Sequence, residues 1–233
     1  MPTNLVLNNE SKTLELLNID ELNLKLENNS NLTLKIANFK STKSLKITAE
    51  VASNSKVSVI FGDFSKGGID AKILFNLNEE GAEATWDLAS LSTGDSKKTF
   101  DVSFIHNVGH TKGIMNNYGV SKDNSEIVFS GVNHIKTNAS KSETRQNAKI
   151  IVFDKESKGH AYPILKIDNN DVIASHGAVV GQLSDEHMFY LMSRGLTQDE
   201  AKNIITLGYL SPISKHFSED VQNKILTRIE EEI

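Results

Sequence analysis

The chain has 233 residues, 38% of them hydrophobic and 24% charged, with a formal net charge of −5 and no cysteine. That length buries a substantial core as one large domain, or as one domain with a small appendage. The charge balance offers nothing to a polyanion such as nucleic acid. No apolar run approaches the roughly 20 residues of a membrane span. Without cysteine there are no disulfides, no thiolate nucleophiles and no metal cluster held by the chain's own thiolates. Met1-Pro2-Thr3-Asn4 lacks the basic-then-apolar pattern of a secretion signal, so a cytoplasmic protein is expected.

From the start, apolar and polar residues alternate at period two, as in strands that bury one face. Leu5-Val6-Leu7, Leu14 to Leu17, Leu22 to Leu26, Leu32 to Ile36, Leu45 to Ile47 and Val57 to Ile60 all read this way. Asn8-Asn9, Asn28 to Asn31 and Ser53-Asn54-Ser55 separate them with residues that tolerate turn geometry. Strand runs recur at Ile73 to Phe75, Ala84 to Leu88, Val102 to Ile105, Ile127 to Phe129, Ile150 to Phe153 and Ile164 to Ile167. With no helical period between them, a sheet built from βαβ units is not expected. A sandwich, a barrel and a β-solenoid remain, and no repeat of fixed length selects the last.

The pattern changes near Gly181. Ser184-Asp185-Glu186 predicts a helix start with a serine cap, and Gly195 its close in the left-handed conformation. Thr197 to Glu200 has the capping-box sequence of a second helix, with Ala201, Ile204, Ile205 and Leu207 inward and Gly208 at its end. After Pro212, a last helix runs from Ser218 through Val221, Ile225, Leu226 and Ile229. The organisation predicted is a β body over residues 1–180 and a helical tail over 181–233. So small a tail must pack on the body or on a partner.

Seven histidines are the candidate ligands. His106 and His110 sit four apart without the glutamate of a zinc helix, and read as turn or surface residues. His134 reads as a solvent-facing strand residue, His160 as following a turn, and His187 and His216 as wet helical residues. His176 lies in Ser175-His176-Gly177-Ala178, read as a glycine-bearing loop after a short strand at Val172-Ile173. Neutral imidazole there is a good ligand for iron or zinc, although single histidines are seldom ligands. No phosphate loop and no nucleophile elbow occur. The residues alone describe a β body with a helical tail and no self-contained active site.

Several ordered motifs between about Val102 and Pro212 resemble the SufB/SufD family, on its SufD side. They are His106-x-x-x-His110-Thr111, Ser125 to Gly131, Thr144 to Ile151 and Tyr162 to Ile167, the last with Lys166 where an acid is usual. After these come Asp171-Val172-x-x-Ser175-His176-Gly177-Ala178-x-x-Gly181 and Phe189-Tyr190-Leu191-x-Ser193-Arg194-Gly195-Leu196. The resemblance implies a right-handed parallel β-helix followed by C-terminal helices. It implies a non-catalytic scaffold of iron–sulfur cluster assembly, paired with a SufB-type scaffold or with a second copy of itself. It also implies a SufC-type ATPase docked on the tail, through Phe189, Tyr190, Arg194, Gly195 and Glu200. His176 then acts as a metal ligand beside a partner's cysteine, with a transient cluster at the subunit interface and no cofactor bound by the chain alone. Typical SufD chains are longer, with an N-terminal helical region, and many carry cysteine two residues before the histidine, where this chain has Ala174.

Two other readings stand beside this one. The first is a purely structural, self-associating β-solenoid capped by its tail. The second is a metal enzyme using His106, His110 and His176, which lack a carboxylate at ligand spacing.

Overall fold

The computed structural model describes residues 3–183 and 185–232. The first strands are β1 (Thr3–Leu7), β2 (Ser11–Leu17), β3 (Glu21–Leu26), β4 (Asn31–Asn38), β5 (Ser44–Val51) and β6 (Lys56–Asp63). β7 (Ile69–Leu77), β8 (Glu83–Ser92), β9 (Lys97–His106) and β10 (Lys112–Ser121) follow. β11 (Glu126–Ile135), β12 (Glu143–Val152), β13 (Lys158–Ile167) and β14 (Ile173–Gln182) complete the β body. The helices are α1 (Asp185–Ser193), α2 (Gln198–Leu210) and α3 (Glu219–Glu231), with a 3-10 turn at Ser211–His216 between the last two.

Odd-numbered strands form one seven-stranded sheet and even-numbered strands the other, each in simple ascending order. All neighbours are parallel. The chain is therefore a mainly β solenoid of about six turns. Parallel neighbours require the chain to return to the same end before each new strand, and here the return is the opposite sheet.

The turns are unequal. Leu22 pairs with Ile47, whereas Gly113 pairs with Thr144, so later turns consume more chain. Strands lengthen from five residues in β1 to ten from β8 onward. A solenoid that widens along its axis has no fixed period, which is why self-similarity is invisible in the sequence. The asparagines of the early corners, Asn9, Asn18, Asn29 and Asn54, have φ between 51° and 57°. Among non-glycine residues, asparagine is one of those that enter this region at least cost.

Inward positions of both sheets line a closed lumen. Leu22, Leu24 and Leu26 fill its narrow end, and Phe61, Phe75, Trp86, Phe100, Phe104 and Phe129 its wide middle. Phe75 and Phe104 stack at 4.8 Å across one rung of the odd sheet. Most strands run longer than the alternating segments that predict them; β10 was not anticipated, and most of β14 was read as a loop. β10 places Gly113, Met115, Asn117 and Gly119 inward, so it lacks the aliphatic alternation. β14 includes Gly177 and Gly181, which take ordinary strand geometry here, so the predicted loop at His176 is a strand.

The tail packs on the outer face of the even sheet. Ala37, Ile60, Phe64, Ala89, Leu91 and Val120 are covered by Leu210, Ile213, Phe217, Val221, Ile225 and Ile229. Glu15 of β2 accepts from the Ser218 backbone N–H at 2.7 Å, fixing the start of α3. Arg228 Nε donates to the Phe64 carbonyl at 3.0 Å and Thr93 Oγ1 to Glu232 at 2.8 Å, fixing its end. In α2 the buried residues are Ala201, Thr206 and Leu210, while Ile204 is exposed. α2 also continues through Gly208, at a helix cost of about 1 kcal/mol offset by burial of Leu210 against the sheet. The predicted cap at Ser184 lies outside the described residues.

Candidate functional site

Strand parity places His176. Trp86, Met115, Gln146 and His176 occupy one register across β8, β10, β12 and β14. Trp86, Met115 and Gln146 are buried in the lumen. His176 lies on the same face of β14, yet it is exposed because no further turn covers it. It stands on the open end of the solenoid.

That end is apolar as well as open. β13 and β14 are the last strands of their sheets. They expose Tyr162, Ile164, Ile167, Ile173, Val179 and Val180. An edge strand with unpaired backbone groups and exposed aliphatic side chains is a template for another chain. Ala174, beside His176, contributes no ligand atom. Among the described residues, no three His, Cys, Asp or Glu side chains converge as a metal site.

The tail residues singled out from the sequence share the α1–α2 hairpin. Phe189 is 76% exposed and Tyr190 57%. The Arg194 guanidinium lies 5.3 Å from the Tyr190 ring centroid, a cation–π contact that holds both side chains on one face. Gly195, at φ +95°, closes α1, with its N–H donating to the Met192 carbonyl. Glu200 completes the capping box: its carboxylate accepts from the Thr197 N–H at 2.7 Å, and the Thr197 hydroxyl accepts from the Glu200 N–H at 3.2 Å. The Thr197 backbone N–H first, and its hydroxyl second, donating to the carboxylate at 3.0 Å, hold the Glu200 carboxyl below the usual range. His176 belongs to the end face and these five to the hairpin.

The other histidines divide differently from expectation. His106 is wholly buried, its Nδ1 2.7 Å from Thr111 Oγ1, because β9 turns it inward with Phe104. Burial first, and the nearby His134 second, lower its pKa to about 4. His110 sits at a corner with φ 56° and is exposed, so the two face different surroundings. His134 faces outward as predicted, 2.7 Å from Asp168. His160 lies within β13, its ring parallel to that of Tyr162. His187 and His216 are exposed.

Two buried polar groups escaped the sequence reading. Lys98 and Asp63 form a solvent-free ion pair at 2.7 Å, with Asn38 and Ser65 also bonded to Asp63. Farther along the lumen, Asn117, Asn133, Thr144 and Gln146 point inward. Parity was the available signal: Lys98 is in phase with Phe100, Val102 and Phe104, and Gln146 with Ala148 and Ile150.

The chain is thus a parallel β-solenoid with an uncovered final turn and a helical hairpin that exposes aromatic side chains. Residues 5–209 match the family described as SUF system FeS cluster assembly, SufBD core domain, and the chain belongs to that family. It is 29% identical over 181 residues to the iron–sulfur cluster assembly protein SufD of Bacillus subtilis, covering 77% of this chain and 41% of that protein. It is 30% identical over 111 residues to an iron–sulfur cluster assembly SufBD family protein of Staphylococcus saprophyticus, 48% of this chain and 24% of the other. A Staphylococcus epidermidis SufBD family protein is 28% identical over 137 residues, 58% and 29% of the two chains. The chain thus spans less than half the length of these curated relatives. No helix among the described residues is long and apolar enough to cross a membrane.

Proposed function

We propose that the chain is a non-catalytic scaffold subunit of a cytoplasmic Suf complex. Its β13–β14 end face pairs with a SufB-type scaffold or a second copy of itself, and its α1–α2 hairpin receives a SufC-type ATPase. The observation that carries this reading is the uncovered last turn of a SufBD core, with His176 exposed on β14 and aliphatic side chains exposed along β13 and β14. Strand edges and apolar fringe supply the affinity on pairing, and His176 supplies one imidazole.

The iron–sulfur cluster is cargo in this scheme. A chain without cysteine contributes at most imidazole or carboxylate ligands, so thiolates come from the partner. Imidazole beside partner thiolate is a chemically sound transient iron site, because the weaker ligand lets the cluster leave. ATP-driven movement of the hairpin reaches the end face through the helical layer bound to the even sheet.

The test is co-purification with the ATPase and SufB-type scaffold of the same organism, followed by cluster reconstitution. His176→Ala is expected to leave the complex intact and to reduce cluster formation. Failure to bind that ATPase overturns the scaffold reading. A complex that forms and builds clusters normally with His176→Ala supports a purely structural solenoid.

A further inference from the structure

A small cavity of about 10 Å³ lies in the lumen among Met115, Asn117, Phe129, Gly131, Gln146 and Ala148. That volume is close to the room one water molecule needs. Around it the hydrogen bonding is incomplete in a specific way. Gln146 donates from Nε2 to the Ile164 carbonyl of β13 at 3.0 Å, while its Oε1 is buried with no partner among the described residues. Asn117 accepts at Oδ1 from the Trp86 indole N–H at 2.9 Å. The indole N–H only donates, so the Asn117 oxygen must face it and the amide Nδ2 is left to donate elsewhere.

We propose that one buried water molecule occupies this cavity, accepting from Asn117 Nδ2 and donating to Gln146 Oε1. The chain of bonds then runs Trp86 to Asn117 to water to Gln146 to Ile164, every donor pointing toward the open end. Bonds aligned in this way polarise and strengthen one another in a low-dielectric interior. Gln146 is the register neighbour of His176, and Ile164 lies on the exposed end strand. The water therefore braces the floor beneath the end face and makes Gln146 a positioning residue for it. Gly131 leaves the space, since a Cβ there would stand 2.9 Å from Gln146 Oε1. This inference does not depend on the proposed Suf role, since it concerns the isolated chain.

A crystal structure of the full chain at a resolution that places solvent is the direct test. Density for a water within about 3.2 Å of both Gln146 Oε1 and Asn117 Nδ2 is expected. A dry cavity, or one filled by Met115, overturns the proposal. Trp86 is the chain's only tryptophan, so its indole N–H gives a single NMR signal. Gln146→Met is expected to remove the water and shift that signal upfield. An indole resonance unmoved in a folded Gln146→Met protein overturns the proposal equally.

Discussion

Lys98 Nζ lies 2.7 Å from Asp63 Oδ2 at a corner of the lumen, and neither side chain is reached by solvent. The ammonium also donates to the Ser65 and Leu91 carbonyls, each at 2.7 Å. Burial pulls the Lys98 pKa below its usual value, and the Asp63 carboxylate opposes that pull. A pair this dry is costly to form and more costly to break. Asp63→Ala is expected to lose about 3–5 kcal/mol, because it leaves a buried charge without its partner. The double variant Asp63→Leu with Lys98→Met is expected to recover most of that loss. Urea melts of the three proteins check both; a double variant as unstable as Asp63→Ala rejects the ion-pair account.

His106 makes stability depend on pH. Its folded pKa is about 4, below the free value of 6.5, so the unfolded chain binds a proton that the folded chain refuses. Its contribution is complete above pH 6.5 and is lost as pH falls toward 4. The full effect is on the order of 3 kcal/mol. Melts of the wild type and His106→Leu at pH 7, 5.5 and 4.5 should show the gap between them changing in the wild type's disfavour as pH falls. Parallel curves would falsify the assignment.

The end face should be separable from folding. Val179 and Ile173 are 62% and 60% exposed, so Val179→Asp and Ile173→Asp should change monomer stability by no more than about 0.5 kcal/mol. The same changes should abolish pairing through β13 and β14, because a carboxylate would be buried at the contact. Sedimentation of the chain alone, and with a SufB-type scaffold, reads this out. Undiminished pairing places the interface elsewhere.

The hairpin offers a paired test. Phe189→Ala should weaken ATPase binding several-fold while leaving Tm unchanged, since the ring touches little in the free chain. Thr197→Ala should instead lower stability by about 1 kcal/mol through loss of the α2 cap. The Glu200 half of the cap persists above the ordinary glutamate pKa and fades as pH falls through its lowered folded value. Calorimetric titration separates the two variants: equal loss of ATPase affinity in both would mean that the hairpin's fold, not its ring, is what matters.

Much of this was legible because strands report their own parity. Leu22 to Leu26 and Leu32 to Ile36 announce one buried face, and the asparagines between them announce the corners. The capping box at Thr197 and Glu200 was readable for the same reason: both partners lie within one helical turn. His176 was placed in a loop, since Gly177 and Gly181 suppress strand propensity that the pairing with β12 restores. His106 was placed at the surface because its neighbours in sequence include turn residues, whereas its neighbours in space include Phe104 and Gly113.

The sequence by itself determined the strands, the helical tail, the absence of thiolate ligands and, through its motifs, the family. Those properties are local or compositional. Tertiary structure alone decided that the strands wind into a widening solenoid, since each turn is closed by residues two strands away. It also decided that Lys98 meets Asp63, that Gln146 lies beneath His176, and that the final turn is uncovered. Each of those is a contact, or the lack of one, between segments roughly 25 to 35 positions apart, and only the register of parallel strands brings such positions together.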